Sequence, residues 1–197
     1  MALDEPAQRY LQSQRSTSSN GLANTLRHFG QIEVYGPITA GLMVAGLASG
    51  KDEVTRTGAR LATTLAFTGA TASLAKLALG RERPEDSREA DSDEYLLFSG
   101  HEAMPSGHSA MAFALATALA DEIDRTWASL GLYTLATGVA WSRLNDNRHW
   151  LSDVAAGAAF GITSAKLVNG SWRIFNLRPP GILLGPRYAG IAWQVSF

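Results

Sequence analysis

The stretch Ser142–Asp153, S-R-L-N-D-N-R-H-W-L-S-D, lies between two apolar runs and gathers Arg143, Arg148, His149 and Asp153 into a dozen residues. Most of the surrounding chain is Ala, Leu, Thr and Gly, so polar chemistry this dense marks the break between two helices. His149 and Asp153 are four residues apart, a spacing that predicts one shared helix face. A carboxylate there can accept a hydrogen bond from one imidazole nitrogen, which fixes the tautomer and leaves the other nitrogen as a base or nucleophile. Taken alone, the pair also serves as an ordinary structural contact.

Working outward, the apolar run before this stretch predicts a helix over about Thr126–Trp141, and the run after it a helix from about His149 to Val168. Further out, Ser106 to Glu122 and Glu53 to Leu79 read as helices, the second ending at Gly80 as a C-cap. Ile32–Ala48 is also apolar, and Gly36-Pro37 suggests where its helix begins, because Pro suits a first turn. No stretch before residue 180 alternates with period two. The fold class expected is therefore all-α: a bundle of about five core helices with a short irregular or strand-like C-terminal tail.

One domain spans 1–197 on this reading, with a peripheral N-terminal arm over 1–30, a helical core over 31–168 and a tail over 169–197. Within the arm, Arg9 to Gln14 suggests a short surface helix and Ser16–Asn20 a loop or N-cap. Residues 81 to 105 are dense in charge without helical period and form a long loop. In the tail, Pro179-Pro180 forbids helix, while Ile191, Trp193, Val195 and Phe197 alternate like a strand with no evident partner. The tail is expected to pack along the bundle, with room for a homodimer contact.

Seventeen Lys and Arg stand against eighteen Asp and Glu. Nucleic acid is therefore not an expected partner, since neutralising a phosphate backbone needs a basic face. Any anion bound here must be held by a local cluster of cations. The absence of cysteine excludes disulfides, thiolate metal sites and a catalytic thiol. The opening M-A-L-D-E-P-A-Q-R-Y is acidic and lacks an apolar core, so it does not read as a signal segment. A leader outside this sequence stays open. The cleanest apolar run is Ala110–Ala120, well short of the roughly 20 residues that a span needs. With a mean hydropathy of −0.04, the expectation is a soluble or peripheral protein rather than a polytopic one.

Three polar patches fall at helix ends. Lys76 lies in the last turn before Gly80, with Arg83-Pro84 just beyond; a Lys there is commonly a dipole partner. Pro105-Ser106-Gly107-His108 opens a helix, where unpaired backbone N–H groups form a ready anion site and Gly107 lets an anion approach the backbone. An ordinary Ser N-cap would look the same. The third patch is Ser142-Arg143 with His149 and Asp153. Consecutive antiparallel helices can bring three such ends to one face, gathering Lys76, Arg83, Arg143, a nest of amides and two histidines.

With these motifs the sequence resembles the type 2 phosphatidic acid phosphatases, whose superfamily includes bacterial non-specific acid phosphatases and vanadium haloperoxidases. Lys76 followed after six residues by Arg83-Pro84, then Pro105-Ser106-Gly107-His108, then Ser142-Arg143, five residues, His149, three residues and Asp153 match the family's three motifs in order. The motifs and their helices cover about residues 53–168.

The resemblance implies a phosphatase acting on a phosphorylated small molecule or lipid. His149 would form a phosphohistidine, oriented by Asp153, and His108 would protonate the leaving oxygen. Lys76, Arg83, Arg143, Ser106 and the Gly107 N–H would hold the phosphate. No metal or other cofactor is implied. It also implies a periplasmic or membrane-associated location facing the periplasm, with at most peripheral membrane contact. Two rivals use the same pocket: a vanadium-dependent haloperoxidase, and a non-catalytic protein that binds phosphate or a lipid headgroup.

Overall fold

The computed structural model describes residues 2–87, 91–173, 179–185 and 188–193. Seven α-helices follow one another: α1 (Asp4–Ser13), α2 (Thr17–Arg27), α3 (Ile32–Ser49), α4 (Asp52–Leu79), α5 (Gly107–Ile123), α6 (Thr126–Asn145) and α7 (Leu151–Val168). A 3₁₀ turn, His28–Gly30, joins α2 to α3, and a two-stranded antiparallel hairpin, β1 (Gly181–Gly185) and β2 (Tyr188–Ala192), closes the described chain. The expected all-α bundle with a strand-like tail is borne out.

Helix α5 is the axis of the bundle, packed against α4, α6 and α7. Its Ala-rich sequence favours helix strongly, and the small side chains let neighbours approach on every side. Ala110, Ala112, Ala114, Ala116, Ala118 and Ala120 are all buried, so the helix is covered on more than one side. The tightest contact is with α7. A Cβ on Gly157 would stand 2.4 Å from the Ser106 carbonyl oxygen, and one on Gly161 2.2 Å from that of Ala110. Backbone therefore lies on backbone, and the Ser106 N–H donates to the Asp153 carbonyl at 2.9 Å. This contact sets the N-termini of α5 and α7 side by side, and the positive ends of both dipoles share one end of the bundle.

Some boundaries differ from expectation for local reasons. Helix α3 begins at Ile32, five residues before Pro37, because Gln31 is extended and its carbonyl accepts from both Val34 and Tyr35. Pro37 then sits inside the helix, where it removes one intrahelical bond. Helix α4 ends as expected, with Gly80 left-handed at φ 55°; the Leu96 carbonyl packs where a side chain would go and fixes the loop that follows. Ile191 of the tail does have a strand partner: β2 pairs with β1, Ile182 opposite Ile191. The hairpin is anchored by the Ile182 N–H, which donates to Thr63 Oγ1 at 2.9 Å. Trp193 follows β2, while Val195 and Phe197 lie outside the described residues.

Candidate active site

Lys76, Arg83, Gly107, His108, Arg143 and His149 line one cavity of about 540 Å³. Helix direction brings them there: α4 and α6 end at this side of the bundle and α5 and α7 begin at it. Of the predicted residues, Ser106 and Asp153 do not line the cavity. Both are fully buried directly behind it, and Ser106 Oγ accepts from Ser109 Oγ at 3.1 Å rather than capping α5.

His149 is not on the helix face its spacing predicted. Helix α7 starts at Leu151, two residues later, with Trp150 as its N-cap. Asp153 reaches back from the first turn: Oδ2 accepts the Trp150 N–H at 2.8 Å and stands 3.6 Å from His149 Nδ1. The same four-residue spacing thus pairs the two groups through a helix N-terminus. At 3.6 Å the contact is longer than a hydrogen bond, and Nδ1 is buried without another partner.

The cavity is strongly cationic. Arg27 and Arg148 join Lys76, Arg83 and Arg143 around it, with Glu33 the one carboxylate among the described lining residues, while Asp146 meets Arg143 and Glu85 meets Arg148 and Arg83 from outside the lining. Burial pushes both histidines down to about 4: His108 is pressed further by Arg143, His149, Arg27 and Lys76, and His149 by Lys76 and Arg143 against the pull of Asp153. His108 Nε2 and Arg143 Nε are also buried without partners. Burial lowers Lys76 to about 8 although Glu102 and Asp153 favour its charge. Its ammonium donates to the Glu102 carbonyl, which gives that residue a place at the site. A Cβ on Gly107 would meet nothing closer than Lys76 Cε at 3.8 Å, so packing alone does not demand glycine there. Concentrated positive charge, unsatisfied donors and an open helix N-terminus together make an oxyanion site.

Sequence reasoning missed the residue that holds Asp153. Arg81 is completely buried, and its Nη1 donates to Asp153 Oδ1 at 2.5 Å and to Ser152 Oγ at 2.7 Å. Nη2 meets Asp4 Oδ2 at 2.6 Å, Nε donates to the Ser92 carbonyl at 3.0 Å, and the guanidinium lies over the Tyr95 and Trp150 rings. In G-R-E-R-P nothing distinguishes Arg81 from a solvated loop charge, and neither Asp4 nor Arg27 carries a sequence signal.

Comparison with known proteins follows the same geometry. The family model of the PAP2 superfamily matches residues 57–176. A lipid A 1-phosphatase of Porphyromonas gingivalis is 39% identical over 110 residues, 55% of this chain and 22% of that protein. One from Rhizobium etli is 34% identical over 137 residues, 66% of this chain and 58% of that protein. The chain thus spans well under two thirds of the length of these relatives. The crystal structure of Aquifex aeolicus LpxE superposes with a TM-score of 0.70 at 22% identity, covering 86% of this chain and 96% of that one. The first transmembrane PAP2 type phosphatidylglycerolphosphate phosphatase, from Bacillus subtilis, also gives a TM-score of 0.70, at 19% identity, covering 86% of this chain and 84% of that one. Two helical stretches among the described residues, Thr17–Ser49 and Leu151–Val168, are long and apolar enough to cross a membrane by length and composition.

Proposed function

We propose that this chain, which belongs to the PAP2 superfamily, is a metal-independent phosphatase that hydrolyses a lipid phosphomonoester or diphosphate through a phosphohistidine on His149. One observation carries the proposal: two imidazoles, His149 buried and His108 half-buried, each with a buried unpartnered nitrogen, line the same cavity as five basic side chains. A site built only to bind phosphate gains nothing from desolvating two neutral imidazole nitrogens.

Asp153 faces Nδ1 of His149, so Nε2 is the nitrogen that attacks phosphorus in line. The P–O bond to the leaving group breaks as the N–P bond forms, and His108 gives the departing oxygen its proton. Water then attacks the phosphohistidine, returns a proton to His108 and releases phosphate and neutral His149. Burial leaves His149 neutral above about pH 4, the state a nucleophile needs. Burial and the surrounding cations leave His108 neutral there as well, so its proton arrives with the substrate: a monoanionic phosphoester carries one, and an anion beside His108 offsets the cations that depress it. Lys76, Arg83, Arg143 and the amide of Gly107 hold the equatorial oxygens, supplying the charge that metal ions provide in other phosphoryl transfer sites.

The substrate favoured is a lipid phosphate, and the relatives that are lipid A 1-phosphatases make lipid A the first to try. Leu96, Leu97 and Phe98 are 62%, 64% and 71% exposed on the loop pinned to the end of α4, and Leu74 and Leu77 are exposed in the last turns of that helix. Such an apolar rim close to Lys76 suits acyl chains. A lipid substrate sets the enzyme at a membrane surface, which we take to be the periplasmic face.

A substrate panel tests the proposal. Lipid A 1-phosphate, phosphatidate, an isoprenoid diphosphate and nitrophenyl phosphate are assayed in the presence of chelator, with and without vanadate. Release of phosphate from a lipid, inhibited by vanadate and indifferent to chelator, is the expected outcome. No turnover of any of the four by folded protein overturns it.

A further inference from the structure

We propose that the N-terminal helix α1 is a working part of the active site: Asp4, acting through Arg81, fixes the carboxylate of Asp153 and thereby the orientation of His149. Asp4 is 1% exposed, which is exceptional for a carboxylate so near the start of a chain. Its Oδ2 accepts from Arg81 Nη2 at 2.6 Å and from Ser152 Oγ at 2.6 Å, and its Oδ1 accepts the Ser152 N–H at 2.8 Å. Ser152 is the neighbour of Asp153, and its hydroxyl also accepts from Arg81 Nη1. Asp4 is thus bonded both to the guanidinium that holds Asp153 and to the backbone beside it. Helix α1 further braces the turn that leads into His149, because Gln8 Nε2 donates to Asn147 Oδ1 at 2.9 Å and Gln12 Nε2 to the Leu144 carbonyl at 3.0 Å.

Two carboxylates grip one guanidinium from different nitrogens, so Arg81 cannot turn away from Asp153 without straining its bond to Asp4. Burial by itself would raise Asp4, but its bonds to Arg81 and Ser152 hold it below the usual carboxylate range, so it stays a charged acceptor for the guanidinium. Lys76 of α4, His108 of α5 and Arg143 of α6 oppose protonation of His149 from the cavity side, and Asp153 of α7 is its immediate support. Asp4 and Arg81 are positioning residues, since neither lines the cavity.

The catalytic arm of this inference rests on the phosphatase reading above; its spectroscopic arm does not. In full-length protein labelled with ¹⁵N-histidine, the four rings are assigned by single substitutions and the tautomer of His149 is read at pH 7. Wild type should hold one tautomer, protonated at Nδ1. In Asp4→Asn a population protonated at Nε2 should appear, and kcat should fall about tenfold or more while KM stays within about twofold. A purely structural role would lower the melting temperature and leave the tautomer and kcat of folded protein unchanged, and that result overturns the proposal. Should Asp4→Asn fail to fold, Arg81→Lys is decisive, because it keeps the charge and loses the fork that reaches Asp4 and Asp153 together. A mixed tautomer there supports the clamp, and a wild-type spectrum with wild-type kcat overturns it. A wild type with no phosphatase activity defeats the functional reading alone, and the tautomer comparison still decides the role of Asp4.

Discussion

The two sides of His149 differ in one respect that organises the molecule. Toward the cavity, His108 Nε2 and Arg143 Nε are buried without partners, and basic side chains crowd the lining, with Asp146 on Arg143 and Glu85 beside Arg148 and Arg83. Behind it, Arg81 is bonded to Asp153, Ser152, Asp4 and Ser92 and covered by two aromatic rings. An unsatisfied buried donor is costly and persists only where something outside the chain completes it, whereas a saturated network fixes geometry. On the proposed mechanism the front receives an anion that comes and goes, while the back holds its geometry. Substitutions should therefore separate: those in front should affect turnover with little change in stability, and those behind should affect stability as well as turnover.

The largest expected effect is in front. His149→Ala should lower kcat by about 10⁴-fold or more, the scale seen when a nucleophile or its base is removed. Its melting temperature should stay within a few degrees of wild type, because no hydrogen bond is lost. Residual turnover of more than a few per cent, measured by phosphate release, would break the contrast. Next is a change behind the site. Arg81→Met strands two buried carboxylates and should cost about 3–5 kcal/mol, read as a shift in denaturant midpoint. Little loss of stability would mean that the network is not the support described here.

Gly107→Ala sharpens the comparison, since the new Cβ would have ordinary room, 3.8 Å from Lys76 Cε. Denaturant stability should be unchanged or slightly improved, helix propensity favouring Ala. Turnover should fall about 10²-fold if the phosphate packs against this amide, the usual scale for one lost oxyanion donor. Vanadate affinity should fall in parallel.

The smallest effects lie in the pH profile. His149 must be neutral to attack, so kcat/KM should fall as pH drops through about 4. Lys76 must be charged to hold phosphate, so kcat/KM should fall again above about 8. Lys76→Arg, which stays charged, should extend the alkaline side at some cost in rate. A flat profile from pH 4 to 9 would count against these roles.

How much was legible follows from what each residue's signal depends on. Helix α4 and its end at Gly80 could be read because a long helical run and a left-handed cap are local properties. His108 and His149 could be read because the motifs carrying them are short and ordered. The start of α3 was misjudged because Pro37 is tolerated inside a helix whose first turn Gln31 had already nucleated. The partner of the final strand escaped notice because Gly181–Gly185 does not alternate visibly, and pairing is a non-local choice.

The sequence by itself determined the helical class, the PAP2 motifs and the amino acids that can act on phosphate, because each depends on residue type at short spacing. Only the tertiary structure decided that Asp153 reaches His149 through a helix N-terminus rather than along a helix face, and that Arg27 and Arg148 join the cavity. It alone decided that Asp4 closes a network on Arg81 across 77 residues of chain. The physical reason is that a charge carries no mark of its burial. Whether an arginine is solvated or encased depends on which distant carboxylates and aromatic rings the packed helices deliver to it.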